Sequence, residues 1–207
     1  GLMNNANYNV ALGYVALSAV TTGDTNIGIG VGAGQSITTG GNNTIVGSEA
    51  GDTMTGTSNT VIIGYQAGDA INSTDADGTV AVGFNAGSAI TSGIGNIAIG
   101  YQALDAEDDG DFNTAVGYQA LSAQTGTSGT VGNTAVGYQV GLDITTGTQN
   151  TLMGYLAGHN FTVAGHNTAL GGEALASEDV GDFTVAIGYR TGYYQNSDSN
   201  TEDTGNT

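Results

Sequence analysis

Apolar and polar residues alternate in short segments around glycines that recur along the chain, as in NVALGYVAL (9–17), NIAIGYQAL (96–104) and NTAVGYQAL (113–121). We number the positions of each repeat from this glycine, which is position 0. Position −3 holds Val, Ile or Thr in every copy, and position −1 is always aliphatic or Met. Alternation with a period of two predicts a β-strand just before the glycine. The glycine then interrupts the pattern, as at a bend or a close approach of two backbones.

The repeat occurs eleven times and fills nearly the whole chain, so residues 1–207 are predicted to form one repeat domain with a polar, acidic tail at 193–207. Successive glycines lie 17 residues apart, except for intervals of 19 and 20 that short insertions near Asn72–Asp77 and Ala123–Gly129 explain. Seventeen residues are enough for two short strands and two turns, which is one coil of a parallel β-solenoid. Eleven coils stacked about 4.8 Å apart make a rod on the order of 50 Å long. The central glycines are Gly13, Gly30, Gly47, Gly64, Gly83, Gly100, Gly117, Gly137, Gly154, Gly171 and Gly188.

Position −2 is apolar in every copy, although it should face away from its neighbours at −3 and −1. A strand that is apolar on both faces is buried on both faces. A thin coil has only one interior, so we expect another chain to cover the second face; a wider monomeric solenoid is the alternative. The small residues predicted at the interface of this oligomer are Ala81, Ala98, Ala115, Ala135, Ala169 and Ala186.

Composition excludes several classes of partner. The chain has 19 acidic residues and a single basic one, Arg190, which gives a formal charge of −18. Such a surface repels phosphate backbones and anionic headgroups, so we expect no nucleic acid partner. No apolar run reaches the ~18 residues of a membrane span, and membrane insertion is not expected. Without cysteine, the redox compartment cannot be inferred.

Some copies resemble a known family of repeats. TVAIGY (184–189), NTVIIGY (59–65) and GTVAVGF (78–84) resemble the N-S-V-A-I-G head repeat of YadA-type trimeric autotransporter adhesins. NTAVGYQAL is also similar to repeats of bacteriophage tail-fibre proteins. The resemblance covers about residues 9–189 and implies a left-handed parallel β-roll in a homotrimer. It also implies an extracellular place, on a virion tail fibre or a bacterial surface, and a cell-surface glycan or protein receptor. Most units are shorter before the glycine than in the family, and the period is longer.

An acidic segment, LDAEDDGDFN (104–113), is the candidate metal site. Asp105, Glu107 and Asp109 alternate before Gly110, like the first half of a calcium loop. The twelfth position of that loop is Val116, which excludes an EF-hand but leaves a looser calcium site. The alternative is a turn of solvated acidic residues that keeps a rod soluble.

Other motifs are explained by the repeat. Gly28-x-Gly30-x-x-Ala33 matches a dinucleotide-binding loop, but no helical pattern follows it, so we expect no such site. His159 and His166 lie in duplicate Gly-His-Asn triplets and are expected to be polar turn residues, with a metal or an oligomer axis as the alternative. Tyrosine is the usual residue at +1 and is expected to pack across the bend, with an exposed row suited to sugar stacking as the alternative.

These patterns predict a structural protein with no catalytic residues and no cofactor other than calcium. The hypothesis is a segment of a phage tail fibre or a surface adhesin. Three alternatives stay open: a subunit of a self-stacking filament, a glycan-active tailspike-type enzyme and an ice-binding solenoid. The last rests on repeated Asn-Thr pairs, of which Asn113–Thr114 is one, but the β-branched position is expected to face inward.

Overall fold

The chain folds into a parallel β-solenoid in the computed structural model, which describes residues 5–126, 128–177 and 179–194. Each coil contributes one three-residue strand to an eleven-stranded parallel sheet, and the predicted solenoid is confirmed. The strands in chain order are β1 (Val10–Leu12), β2 (Ile27–Ile29), β3 (Thr44–Val46), β4 (Val61–Ile63), β5 (Val80–Val82), β6 (Ile97–Ile99), β7 (Gly110–Asp111), β8 (Thr114–Val116), β9 (Gly129–Thr130), β10 (Thr134–Val136), β11 (Thr151–Met153), β12 (Thr168–Leu170) and β13 (Val185–Ile187).

The strands pair in the register of the repeat. Val10 in β1 pairs with Ile27 in β2, and the same positions pair from β12 to β13. Even across the second insertion, Thr114 in β8 pairs with Thr134 in β10. Each repeat position therefore forms a row of equivalent residues along the rod, and a row is named below by its position number.

The return segment of each coil is made of turns, and the second strand predicted for every coil is absent from most of the described chain. Positions −5, +2 and +4 are left-handed in all eleven coils, with φ between +47° (Leu17) and +83° (Gly78). Such residues end regular pairing and turn the chain at fixed places. On the second side, the described residues form the short β7–β9 pair and an isolated β-bridge at Asp182. The first insertion forms a 3₁₀ helix, Thr74–Ala76, whose N-cap is Ser73.

The interior is filled by the −2, +3, +4 and +7 rows. A complementarity between +4 and +7 governs its packing: glycine at +4 accompanies a large apolar residue at +7, as in Gly51 and Met54. A Cβ on Gly51 would lie 2.6 Å from the Met54 sulfur, so the two positions share one space. Where leucine takes +4, the described +7 residue is smaller or polar: Val20 follows Leu17, Glu107 follows Leu104 and Gln124 follows Leu121.

A row of asparagines at −4 links the coils through hydrogen bonds. The Nδ2 of Asn26 donates to the Gly40 carbonyl across its own coil, at 2.9 Å. Its Oδ1 accepts the backbone N–H of Asn43 in the next coil, at 3.1 Å. Most later asparagines of the row repeat both bonds, and the row is buried. These amides satisfy backbone groups that the narrow interior hides from water.

The C-terminal end of the described chain is the turn at residues 191–194, in which the rings of Tyr193 and Tyr194 meet edge to face at 4.9 Å. The rest of the predicted acidic tail, 195–207, lies outside the described residues.

Candidate functional site

The −3 and −1 rows form an outward apolar face on the eleven-stranded sheet. Met153 is 50% exposed, Val185 40% and Ile99 37%. Every other residue of these rows is either half-buried or exposed, and none is fully buried. None of the residues in the two rows is charged. Contiguous apolar surfaces of this kind are typical of interaction sites. We call these two rows the outward face.

The oligomer interface was predicted on the opposite row, and that assignment is wrong. Ala81, Ala98, Ala115, Ala135 and Ala169 have no exposed area, and Ala186 has 2%. They belong to the chain's own core, where they pack with the +3 and +7 rows. A residue buried inside its own coil is not available to a partner. The physical reason is that alternation separates the two faces of a strand without telling which one faces inward.

The expectation that the β-branched position faces inward is also wrong. Position −3 faces outward, so Thr114, Thr134, Thr151 and Thr168 stand side by side on neighbouring strands of the outward face. Val and Ile fill most other places in that row, and the −1 row contains no threonine. The array is therefore mainly apolar. This favours a protein partner over binding to ice.

Aromatic residues at +1 form a continuous stack beside the outward face. Neighbouring rings from Tyr65 to Tyr155 lie 5.0 to 5.4 Å apart and within 18° of parallel. The ring faces are therefore occupied by each other, and the rings are about half exposed. A sugar needs a free ring face, so this stack does not support the sugar-platform alternative.

Polar side chains at +2 form a hydrogen-bonded row next to the aromatic stack. Gln139 donates to Gln119 at 2.9 Å, and Gln119 donates to Gln102 at 3.2 Å. Leu156 interrupts the row, and Glu173 and Arg190 resume it with an ion pair of 2.7 Å. A cleft of about 120 Å³ opens at this interruption, lined by Leu156, His159, Asn160, Glu173, Ala176, Ser177 and Tyr193.

The acidic loop brings Glu107, Asp108 and Asp109 together. One carboxylate oxygen from each lies within 4.8 Å of the others, and no other such group of His, Cys, Asp or Glu occurs in the described part of the chain. Glu107 is fully buried, Asp109 half-buried and Asp108 exposed. Asp105 is not part of this group. Asp108 does belong to the group, although the sequence pattern of alternate acidic residues did not select it.

The surroundings of the acidic loop disfavour the charged forms of Glu107 and Asp105. Burial raises the pKa of the Glu107 carboxyl, the Gly110 N–H opposes this, and the charge of Asp108 raises the pKa further. Burial also raises the pKa of Asp105. A residue with raised pKa favours folding while it is protonated, and this contribution is lost as the pH rises through its folded-state pKa.

The two histidines contact different residues. His159 Nδ1 lies 2.7 Å from Asn160 Oδ1 and 3.9 Å from an oxygen of Asp143. The His166 ring stacks on Phe183 at 4.8 Å. Neither belongs to the acidic group described above.

The dinucleotide-like motif is a coil of the solenoid. Ile27–Ile29 is strand β2, and a turn follows it where a dinucleotide site requires a helix. Gly28 makes room for a side chain of the preceding coil, because a Cβ there would lie 2.6 Å from Cγ of Leu17. The described residues form no helix long and apolar enough to cross a membrane.

Comparison with protein-family models, with curated proteins and with solved structures gives no match for this chain.

Proposed function

We propose that the chain is a rigid segment of an extracellular fibre, either a phage tail fibre or a surface adhesin, and that it works as a homotrimer. The observation that carries this proposal is the outward face, which is mainly apolar and uncharged over eleven strands and is partly exposed in a single chain. The repeat resembles those of adhesin heads and tail fibres, which supports an attachment role and a glycan or protein receptor.

Further copies of the same chain are the partner that fits the outward face best. The face repeats once per coil, and a second rod in register offers apolar rows with the same spacing along its whole length. Closed rotational symmetry then covers the face on every copy. The net charge of −18 disfavours nucleic acid and anionic lipid as alternatives. The trimer, in place of another closed oligomer, rests on the resemblance.

The regular hydrogen bonding of the coils suits a load-bearing role. Backbone bonds, the asparagine row and the ring stack all run from coil to coil along the rod. Among the described residues that line the cleft, Glu173 is the only one with a carboxylate, and its Oε2 is paired with Arg190. Glycoside hydrolysis needs two carboxyl groups across a groove, which favours a structural role over a tailspike-type enzyme.

A charge placed on the outward face is expected to separate the copies. Val136→Asp introduces one carboxylate per chain within the face, on the eighth of its eleven strands, where association would bury it without a partner. The expected result is a monomer by light scattering, with the far-ultraviolet circular dichroism of the solenoid retained.

Thr146→Asp is the matched control for this change. Thr146 is exposed at position +9, where another coil already carries Asp109, and it lies away from the outward face. This variant should keep the mass of the parent protein. If Val136→Asp kept the same oligomeric mass as the control, the outward face would not be the interface.

A further inference from the structure

Glu107 is a buried carboxylate with one oxygen left without a partner. Its Oε1 accepts the N–H groups of Gly110 at 2.7 Å and Asp108 at 3.1 Å. Its Oε2 has no hydrogen bond, and the side chain has no exposed area. A buried charged oxygen without a partner is costly, so something that the chain itself does not supply is expected beside it.

Packing alone does not explain a glutamate at this place. The same position in the next coil is Gln124, which also follows a leucine at +4. Both polar atoms of the Gln124 amide are hydrogen-bonded: Nε2 donates to the Thr145 carbonyl at 3.0 Å, and Oε1 accepts from Asn133 at 2.7 Å. A neutral amide therefore fits the interior well, whereas Glu107 brings a negative charge.

The carboxylates above Glu107 increase this charge. Asp108 and Asp109 each place an oxygen within 4.8 Å of a Glu107 oxygen, and Asp108 opens the group to solvent. The only basic side chain of the protein, Arg190, pairs with Glu173. The chain thus provides three converging carboxylates and no cation to neutralise them.

A second segment of the chain repeats the pattern. LDAEDDGDFN (104–113) and LASEDVGDFT (175–184) share Leu, Glu-Asp, Gly-Asp and Phe at equal spacing. In the second segment Glu178 lies outside the described residues, but the Oδ1 of Asp179 is also buried without a hydrogen bond. Each segment therefore has, among its described residues, a buried carboxylate oxygen without a hydrogen bond.

We propose that Glu107, Asp108 and Asp109 bind one calcium ion. The donors are all oxygens, which selects a hard cation over zinc or copper. Calcium accepts irregular sets of carboxylate, carbonyl and water oxygens, whereas magnesium demands a near-ideal octahedron and gives up its water reluctantly. The ion gives Glu107 Oε2 its partner and offsets two of the three negative charges. The ion also links the buried core to the surface of the loop.

The test uses the full chain with calcium chloride as the probe, measured by thermal melting and by calorimetric titration after chelation. Calcium at about a hundredfold excess over its dissociation constant should raise the melting temperature by roughly 5 °C or more. Magnesium at the same concentration should give a much smaller shift.

Glu107→Gln is the decisive variant, because the fold already uses glutamine at this position in the next coil. It should remove the calcium-induced shift and weaken binding by more than the roughly tenfold that loss of an outer-shell partner costs. In chelator it should melt no lower than the parent protein, since the amide removes a buried charge. Glu49→Gln is the matched control, in a row that also carries Gln66, and it should respond to calcium as the parent does.

Three results would overturn the site: equal melting temperatures of the parent in chelator and in calcium, equal shifts with calcium and magnesium, or an unchanged calcium response in Glu107→Gln. The first would mean that Glu107 is held as a buried protonated acid. None of these results bears on the trimer, because the oligomeric mass is measured separately.

Discussion

Replacing Gly117 with alanine is expected to lower the stability of the rod by about 3 kcal/mol or more, which corresponds to a fall in melting temperature of roughly 6–12 °C. A Cβ on Gly117 would lie 1.9 Å from the carbonyl oxygen of Gly137 in the next coil. That oxygen belongs to the backbone, so it can move only if the stacked coils separate. The φ of Gly117, +142°, adds strain for any residue with a side chain.

Gly78→Ala is the matched control for this prediction. Gly78 also has a positive φ, +83°, but nothing lies within 4 Å of a Cβ placed there. In other coils the same position carries Tyr8, Asn42 or Phe112 with similar backbone angles. Thermal melts followed by circular dichroism should show a small change for Gly78→Ala and a large one for Gly117→Ala. Equal melting temperatures of the two variants would refute the close approach of the coils at position 0.

Asn150→Ala is expected to lower the free energy of unfolding by about 2–4 kcal/mol, because it removes several buried hydrogen bonds at once. The Asn150 Nδ2 donates to the Ala164 carbonyl at 2.8 Å and to Asn133 Oδ1 at 3.1 Å. Its Oδ1 accepts the N–H of Asn167 at 3.0 Å. Alanine leaves the Ala164 carbonyl and the Asn167 N–H inside the coil without these partners.

Asn150→Thr separates the hydrogen-bonding role from the effect of shortening the side chain. Threonine occurs naturally in this row at Thr60, where the hydroxyl donates to Asn43 Oδ1 at 2.8 Å. A threonine at 150 should restore part of that bonding to Asn133, so its melting temperature should lie between those of the parent and of Asn150→Ala. If all three proteins melt at the same temperature, the asparagine row does not hold the coils together.

The period of the repeat was enough to predict the all-β solenoid and the place of each strand in the eleven-stranded sheet, but not the loss of the second strand from most coils. Residues such as Val10, Leu12 and Gly13 mark a strand and a bend by alternation alone, and neighbouring coils must align because each repeat has the same length. The insertions were also located correctly, since they add residues between strands and leave the register of β8 and β10 intact.

The direction in which each strand faces could not be derived from alternation. Ile45 at −2 and Val46 at −1 are both apolar, so either could belong to the interior. The structure places Ile45 inside because the +3 and +7 residues lie on the same side, and these carry the larger volume of the core. A usable signal was present in the sequence: glycine at +4 accompanies a large apolar residue at +7, as expected for two positions that share one cavity.

The acidic residues proposed to bind calcium are a second case that the sequence pattern did not predict. The spacing of Asp105, Glu107 and Asp109 matches alternate ligands of a calcium loop, but the local turn bonds Glu107 to the N–H of Gly110. This turn brings three consecutive acids together, which a spacing rule taken from another loop does not predict. The paired segment at 175–184, together with the change from an apolar residue to glutamate at +7, is the better signal.

The mass of the native protein in solution tests the trimer most directly. Light scattering or native mass spectrometry at micromolar concentration is required, because an elongated rod elutes early from a sizing column whatever its mass. The trimer proposal predicts a mass three times that of the 20.5 kDa chain. A mass of 20.5 kDa, with the outward face open to solvent, would contradict it.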